Sequence, residues 1–177
     1  MNADDQIGRV LISEEEISTR LAQLASEITT ATSHQPLVVV AVLKGALVMV
    51  ADLVRRLPVP LDLEFITAQS YYGGTQSSGE VLVQGELPDI QGKTVLLVDD
   101  ILDTGLTLQK LREMVNKAGA KQVLTCVLLN KRKVRSAEVT ADFSGFEIED
   151  EFVVGYGLDY AGRYRNLPYI GVLNAPT

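Results

Sequence analysis

In the run Val95-Leu96-Leu97-Val98-Asp99-Asp100-Ile101-Leu102-Asp103-Thr104-Gly105-Leu106-Thr107 an apolar stretch gives way to carboxylates and then to a small, hydroxyl-rich turn. An apolar run of this kind suits a central parallel strand buried on both faces, and ligands of such sheets gather outside the strands' carboxyl ends. The turn stands just before the helical pattern Leu108, Leu111, Arg112, Val115. Its backbone N–H groups and hydroxyls therefore make an anion pocket at a helix N-terminus. Asp99 and Asp100 would repel a phosphate set against them, so they must face something else, such as sugar hydroxyls or hydrated Mg²⁺. A phosphorylated sugar meets both demands, with its hydroxyls at the acids and its phosphate at the Thr-Gly turn.

Two further segments have suitable chemistry. Val42-Leu43-Lys44-Gly45 ends an apolar strand with a cation and a Gly before a helix, which fits a second anion site and equally fits a plain strand-to-helix turn. Ser70-Tyr71 opens a polar stretch containing Gly73, Gly74, Ser77, Ser78 and Gly79. Such a stretch buries little and reads as a lid or as an ordinary hairpin loop; the pair Tyr71-Tyr72, with no core to serve, favours the lid.

The elements that must position these groups alternate. Ser13 and Glu16 form a capping box ahead of Ile17, Leu21, Leu24 and Ile28, predicting a helix that ends near Thr32. A strand Leu37–Leu43 follows, then a helix from about Gly45 to Leu57, stopped by Pro58 and Pro60. Leu61, Leu63 and Phe65 alternate with Asp62 and Glu64 as a half-exposed strand, and another strand runs from about Glu80 to Glu86. The central strand, a helix Leu106–Ala118 capped by Gly119, and an apolar strand Gln122–Leu129 complete the series. The pattern predicts an α/β fold, a doubly wound, mainly parallel sheet flanked by helices, with residues 1–177 as a single domain. The last forty or so residues are Gly- and Tyr-rich and read as a small subdomain beside the sheet.

Composition narrows the function classes. The chain has 177 residues, 46% apolar and 22% charged, which suits a globular core. A net charge of −7 argues against nucleic-acid binding, which draws on Lys and Arg. The one basic cluster, Lys131-Arg132-Lys133 with Arg135, is sized for a small phosphorylated ligand, with Arg132 and Lys133 read as solvated. The longest apolar stretch is interrupted by Lys44 and too short to span a bilayer, and the first residues lack a basic leader, so a cytoplasmic location is expected. Cys126 stands alone in an apolar run and His34 beside Pro36; together they cannot build a zinc site.

The run 95–107 resembles the phosphoribosyl diphosphate (PRPP) motif of the type I phosphoribosyltransferases, and the likeness extends from about Leu11 to Leu173 with the motifs in the family's order. Lys131 with Phe152-Val153-Val154-Gly155-Tyr156-Gly157-Leu158-Asp159-Tyr160 resembles the base-binding hood of the hypoxanthine-guanine members, placing that hood at about 130–177 with N-terminal support. The resemblance implies Mg²⁺-dependent transfer from PRPP to hypoxanthine or guanine, giving IMP or GMP and pyrophosphate. It implies that Lys44-Gly45 takes the pyrophosphate, often through a cis peptide, and that Asp99 and Asp100 hold the ribose. Residues 103–107 (Asp103, Thr104, Gly105, Leu106, Thr107) would cradle the 5′-phosphate. Lys131 would donate to the purine 6-oxo group, Phe152 would stack on the base and Val153 would read its edge by backbone. Asp159 would reach metal-bound pyrophosphate, with Arg165 completing that end and Asp99 and Asp100 as further candidates for contact with the metal, and Ser70 and Tyr71 would open the lid. Asp99 departs from the Glu that many relatives carry, which favours water-mediated over direct metal contact. Asp103 decides the subclass, since a carboxylate beside the base can take the N7 proton as N9 attacks the ribose, where adenine and pyrimidine enzymes place an uncharged residue. A xanthine-preferring relative and an RNA-binding regulator of similar fold are the alternatives. The family also implies a homodimer or homotetramer, and the apolar helix after Gly45 suits either an interface or the core.

Overall fold

The seven residues Leu37–Leu43 form strand β2 because both faces of the run are covered: Leu37, Val39 and Ala41 face one apolar layer and Val38, Val40 and Val42 the other. The computed structural model describes residues 7–70, 81–133 and 138–174, with Gln69 and Ser70 described by backbone alone. Residues 71–80, which hold all but the first residue of the predicted Ser70–Gly79 loop and the predicted strand start at Glu80, lie outside the described residues, as does Arg135.

Element order is β1 (Ile7–Ile12), α1 (Glu14–Ala31), β2, α2 (Leu47–Val54), β3 (Leu61–Ser70), β4 (Val81–Gln84), β5 (Thr94–Leu102), α3 (Leu106–Lys117), β6 (Gln122–Lys131), β7 (Phe143–Ile148), β8 (Val153–Val154) and β9 (Ile170–Leu173). The large sheet runs β4-β3-β2-β5-β6-β7, parallel except for the antiparallel edge strand β4. Crossovers leave β2 toward β3 and β5 toward β6, in opposite directions, so the crevice between the carboxyl ends of β2 and β5 is a topological switch point, where open α/β sheets bind ligands.

Local sequence explains the flanking helices. Ser13 Oγ accepts from Glu16 N–H at 3.3 Å while Glu16 Oε2 accepts from Ser13 N–H at 2.8 Å, the predicted capping box. Ile17, Leu21, Leu24 and Ile28 of α1 are buried against one sheet face with Met49, Val50 and Leu53 of α2, and Leu111 and Val115 of α3 cover the other. Gly119, at φ 86, ends α3.

Several boundaries differ from the sequence expectation. The helix after Gly45 runs only from Leu47 to Val54, because residues 44–46 form a turn. β3 continues past Phe65 to Ser70, and Phe65 itself is exposed. β6 extends to Lys131, and β7, in the stretch expected to form short strands of the hood subdomain, instead adds a sixth strand to the large sheet beside it. The small sheet, β1-β9-β8, draws on both ends of the chain. Among the described residues, no helix is long and apolar enough to cross a membrane.

Candidate active site

β5 delivers its acids at the point where its pairing with β2 has ended, since Val98 is the last β5 residue in register with β2 while Asp99 still pairs with Val127 of β6. Asp99 is buried, with Oδ1 accepting from Asp100 N–H at 2.9 Å. Burial, and secondarily the charge of Asp100, push the Asp99 carboxyl well above the usual aspartate range; burial raises Asp100 as well. Two adjacent acids with raised proton affinity, at a switch point, are an arrangement that a cation or sugar hydroxyls would relieve.

The chain then turns through Asp103 and Thr104 into α3. Gly105, at φ 83, occupies the N-cap position without any side-chain cap, so the amides of the first turn are left to a ligand, apart from a long 3.5 Å contact of Leu106 N–H with Thr104 Oγ1. Leu106 is partly buried against the cluster of Leu102, Leu108, Val127 and Val139 and does not itself line the cavity.

Opposite lies the turn after β2, where the Leu43–Lys44 peptide is cis. Gly45 approaches Asp100 so closely that a β-carbon there would fall 1.7 Å from Oδ2. The third wall comes from the C-terminal segment. Asp159 Oδ1 pairs with Arg165 Nη2 at 2.6 Å, Asp159 Oδ2 accepts from Gly162 N–H at 2.8 Å, and Arg165 Nη1 donates to Gly157 O at 2.6 Å.

These groups enclose one cavity of about 310 Å³. Lys44, Gly45, Asp99, Asp100, Asp103, Thr104, Gly105, Thr107, Asp159 and Arg165 all line it, so these residues, far apart in sequence, share one wall. Val42, Ala68, Ile101, Leu102 and Val127 add apolar wall that sequence reasoning left out, because each reads as ordinary strand core. Lys131, Phe152 and Val153 are not in that wall. Lys131 sits at the end of β6 with its amine 3.0 Å from Asp150 Oδ1. Phe152 is 53% exposed, its ring edge-on to Tyr160 at 5.6 Å, and Val153 is buried in β8. Ser70 is placed by backbone alone, at the end of β3, and Tyr71 lies outside the described residues.

In the basic cluster Arg132 is solvated as the sequence suggested, its side chain 60% exposed, whereas Lys133 is not. Arg132 pairs with Glu147 at 3.0 Å and Glu149 at 3.4 Å, and Lys133 is only 25% exposed because it pairs with Asp103 and, at 3.4 Å, with Asp150. β6 outruns its predicted end, and β7 with the residues just after it brings Glu147, Glu149 and Asp150 alongside, so each of these cations has an acidic neighbour.

A model of the phosphoribosyl transferase domain matches residues 12–161. The chain belongs to the phosphoribosyltransferase family. It is 46% identical over 168 residues to the hypoxanthine-guanine phosphoribosyltransferase of Bacillus subtilis, covering 94% of this chain and 93% of that protein. It is 45% identical to the hypoxanthine phosphoribosyltransferase of Haemophilus influenzae, over 92% of this chain and 93% of that one. A crystal structure of a Bacillus anthracis hypoxanthine-guanine phosphoribosyltransferase, with HEPES in its active site, superposes with a TM-score of 0.90 at 40% identity, covering 96% of this chain and 100% of that one. A Staphylococcus aureus hypoxanthine phosphoribosyltransferase gives a TM-score of 0.91 at 40% identity, over 98% and 96%. The expected fold class, a mainly parallel doubly wound sheet with a hood, is thus that of phosphoribosyltransferases.

Proposed function

We propose that the protein is a purine-salvage enzyme that transfers the phosphoribosyl group of PRPP to hypoxanthine or guanine, giving IMP or GMP and pyrophosphate. The observation that carries this reading is Asp103 in the wall of the cavity that also holds the Asp99-Asp100 pair, the open N-terminus of α3 and, across from them, Lys44 and Arg165. The same-named relatives from Bacillus subtilis and Haemophilus influenzae support it.

In this reading the 5′-phosphate takes the amides of the Gly105–Thr107 turn and the ribose hydroxyls take Asp99 and Asp100. The diphosphate lies toward Lys44-Gly45 and Arg165. N9 of the purine bonds to the ribose anomeric carbon as that carbon's bond to the diphosphate oxygen breaks, and Asp103 takes the N7 proton. Lys131 donates to the 6-oxo group, Phe152 stacks on the base for roughly 1–3 kcal/mol and the Val153 backbone reads its edge. Ser70 and Tyr71 open the lid that keeps water from the reacting centre.

Asp99, Asp100 and Asp159 supply the hard oxygen donors that Mg²⁺ accepts, although the described residues contain no cluster of three or more metal-ligating side chains. Such a site would suit an ion that is also held by the diphosphate, with Asp99, Asp100 and Asp159 as the residues that would hold it. The chemistry Mg²⁺ supplies is neutralisation of the leaving group. The same reading carries the homodimer or homotetramer that the family resemblance implies and the cytoplasmic location expected from the sequence.

Phosphorus NMR tests the transfer. With PRPP, hypoxanthine and MgCl₂ the expected result is a nucleotide 5′-phosphate and pyrophosphate appearing in equal amounts; ribose 5-phosphate with pyrophosphate would mean hydrolysis, and an unchanged spectrum would remove the assignment.

A further inference from the structure

The segment that carries Asp159 and Arg165 is tied to α2 through a side chain outside the active-site cavity. The Tyr156 hydroxyl donates to Asp52 Oδ2 at 2.5 Å, while Oδ1 of the same carboxylate pairs with Arg55. Tyr156 is 6% exposed, and burial, followed by the bond to Asp52, raises its hydroxyl above the usual tyrosine range, so it remains a donor. The next residue, Gly157, has φ 101 and lies against the pyrophosphate-side turn: a β-carbon there would come 2.2 Å from the carbonyl oxygen of Gly45. Gly157 also gives its N–H to Arg165 O at 3.0 Å and takes Arg165 Nη1 on its own oxygen at 2.6 Å.

The Lys44-Gly45 turn is therefore held from two sides. α2 begins two residues after it, and Gly157 rests on its carbonyl. The Asp52–Tyr156 bond closes the frame between these two supports. Neither residue lines the active-site cavity; both line a separate one of about 370 Å³, and Arg165 is common to the two.

We infer that Asp52 and Tyr156 are positioning residues for the diphosphate half of the site, holding Gly157 and Arg165 against the Lys44-Gly45 turn. The inference rests on the PRPP reading of the site. It separates the two substrates, because the bond braces the diphosphate end and involves none of Lys131, Phe152 and Val153 at the base end.

The test is a KM-against-kcat comparison of Tyr156→Phe, Asp52→Ala and their double variant beside the wild type, with inorganic pyrophosphate binding measured in parallel by calorimetry. Each single variant is expected to raise KM for PRPP and weaken pyrophosphate by about five- to tenfold, with KM for hypoxanthine little changed and the double variant no worse than the worse single. Asp52→Asn, whose amide oxygen still accepts from the phenol, is expected near the wild type. An unchanged PRPP KM, a parallel rise for hypoxanthine, additive losses, or Asp52→Asn behaving as Asp52→Ala would overturn the proposal. A wild type that turns over PRPP normally beside such variants leaves the functional reading standing; one without turnover removes both.

Discussion

Gly45 and Asp100 are in contact across the switch point, and the contact admits no side chain on Gly45: its β-carbon would fall 1.7 Å from Asp100 Oδ2 and 2.4 Å from the carboxyl carbon. Gly45→Ala must push the carboxylate into the cavity or shift the turn. We predict a fall in kcat/KM for PRPP of about 10²-fold, the effect of a misplacement near 1 Å. Steady-state kinetics check it, and a variant with near-wild-type kcat/KM would show that the close approach is idle.

Asp103 pairs with Lys133, so a carboxylate intended as proton acceptor has a cation beside it. Replacing it with the neutral isostere in Asp103→Asn is expected to lower kcat by about 10²-fold, with a smaller change in KM for PRPP. Unchanged turnover would remove the proton-acceptor role.

The active-site motifs were legible in the sequence where they are contiguous, because strand, acids and helix N-cap follow one another between Val95 and Thr107. Other features depend on partners remote in sequence. β7 is hidden because Ser144 and Gly145 interrupt its apolar pattern; it is held instead by pairing with β6 and by Arg20 of α1, whose guanidinium donates to the Gly145 and Ser144 carbonyls at 3.0 and 2.8 Å. β1 escapes notice because its pairing with β9 is irregular and Val10 is exposed, leaving no alternation to read. The Lys133–Asp103 and Asp52–Tyr156 contacts join positions 30 and 104 residues apart, and no local spacing signals them.

Asp99 and Asp100 have raised proton affinity in the folded chain, first through burial. The folded state thus binds more protons than the unfolded one above the ordinary aspartate value of 3.8, and stability is lost as pH rises through that window. Asp99→Asn keeps the acceptor for Asp100 N–H and removes the buried charge. In EDTA and without ligand its Tm at neutral pH is expected about 2–4 °C above wild type for each kcal/mol relieved, the advantage vanishing below the ordinary aspartate value. Thermal melts across pH check this; a lower Tm at neutral pH would contradict it.

Ser13 is remote from the cavity and serves α1 alone through the capping box. Ser13→Ala should cost about 1 kcal/mol, lowering Tm by about 2–4 °C, and leave kcat unaltered. A change in turnover without a change in Tm would mean that the N-terminus of α1 communicates with the site.

The choice of base tests the central claim most directly. Purified protein with PRPP and Mg²⁺ is offered hypoxanthine, guanine, xanthine, adenine and uracil in parallel spectrophotometric assays. Turnover of hypoxanthine and guanine, with adenine and uracil inert, is the predicted result. Turnover dominated by xanthine would move the specificity, and activity confined to adenine or uracil, or to no base at all, would contradict the roles given to Asp103 and Lys131.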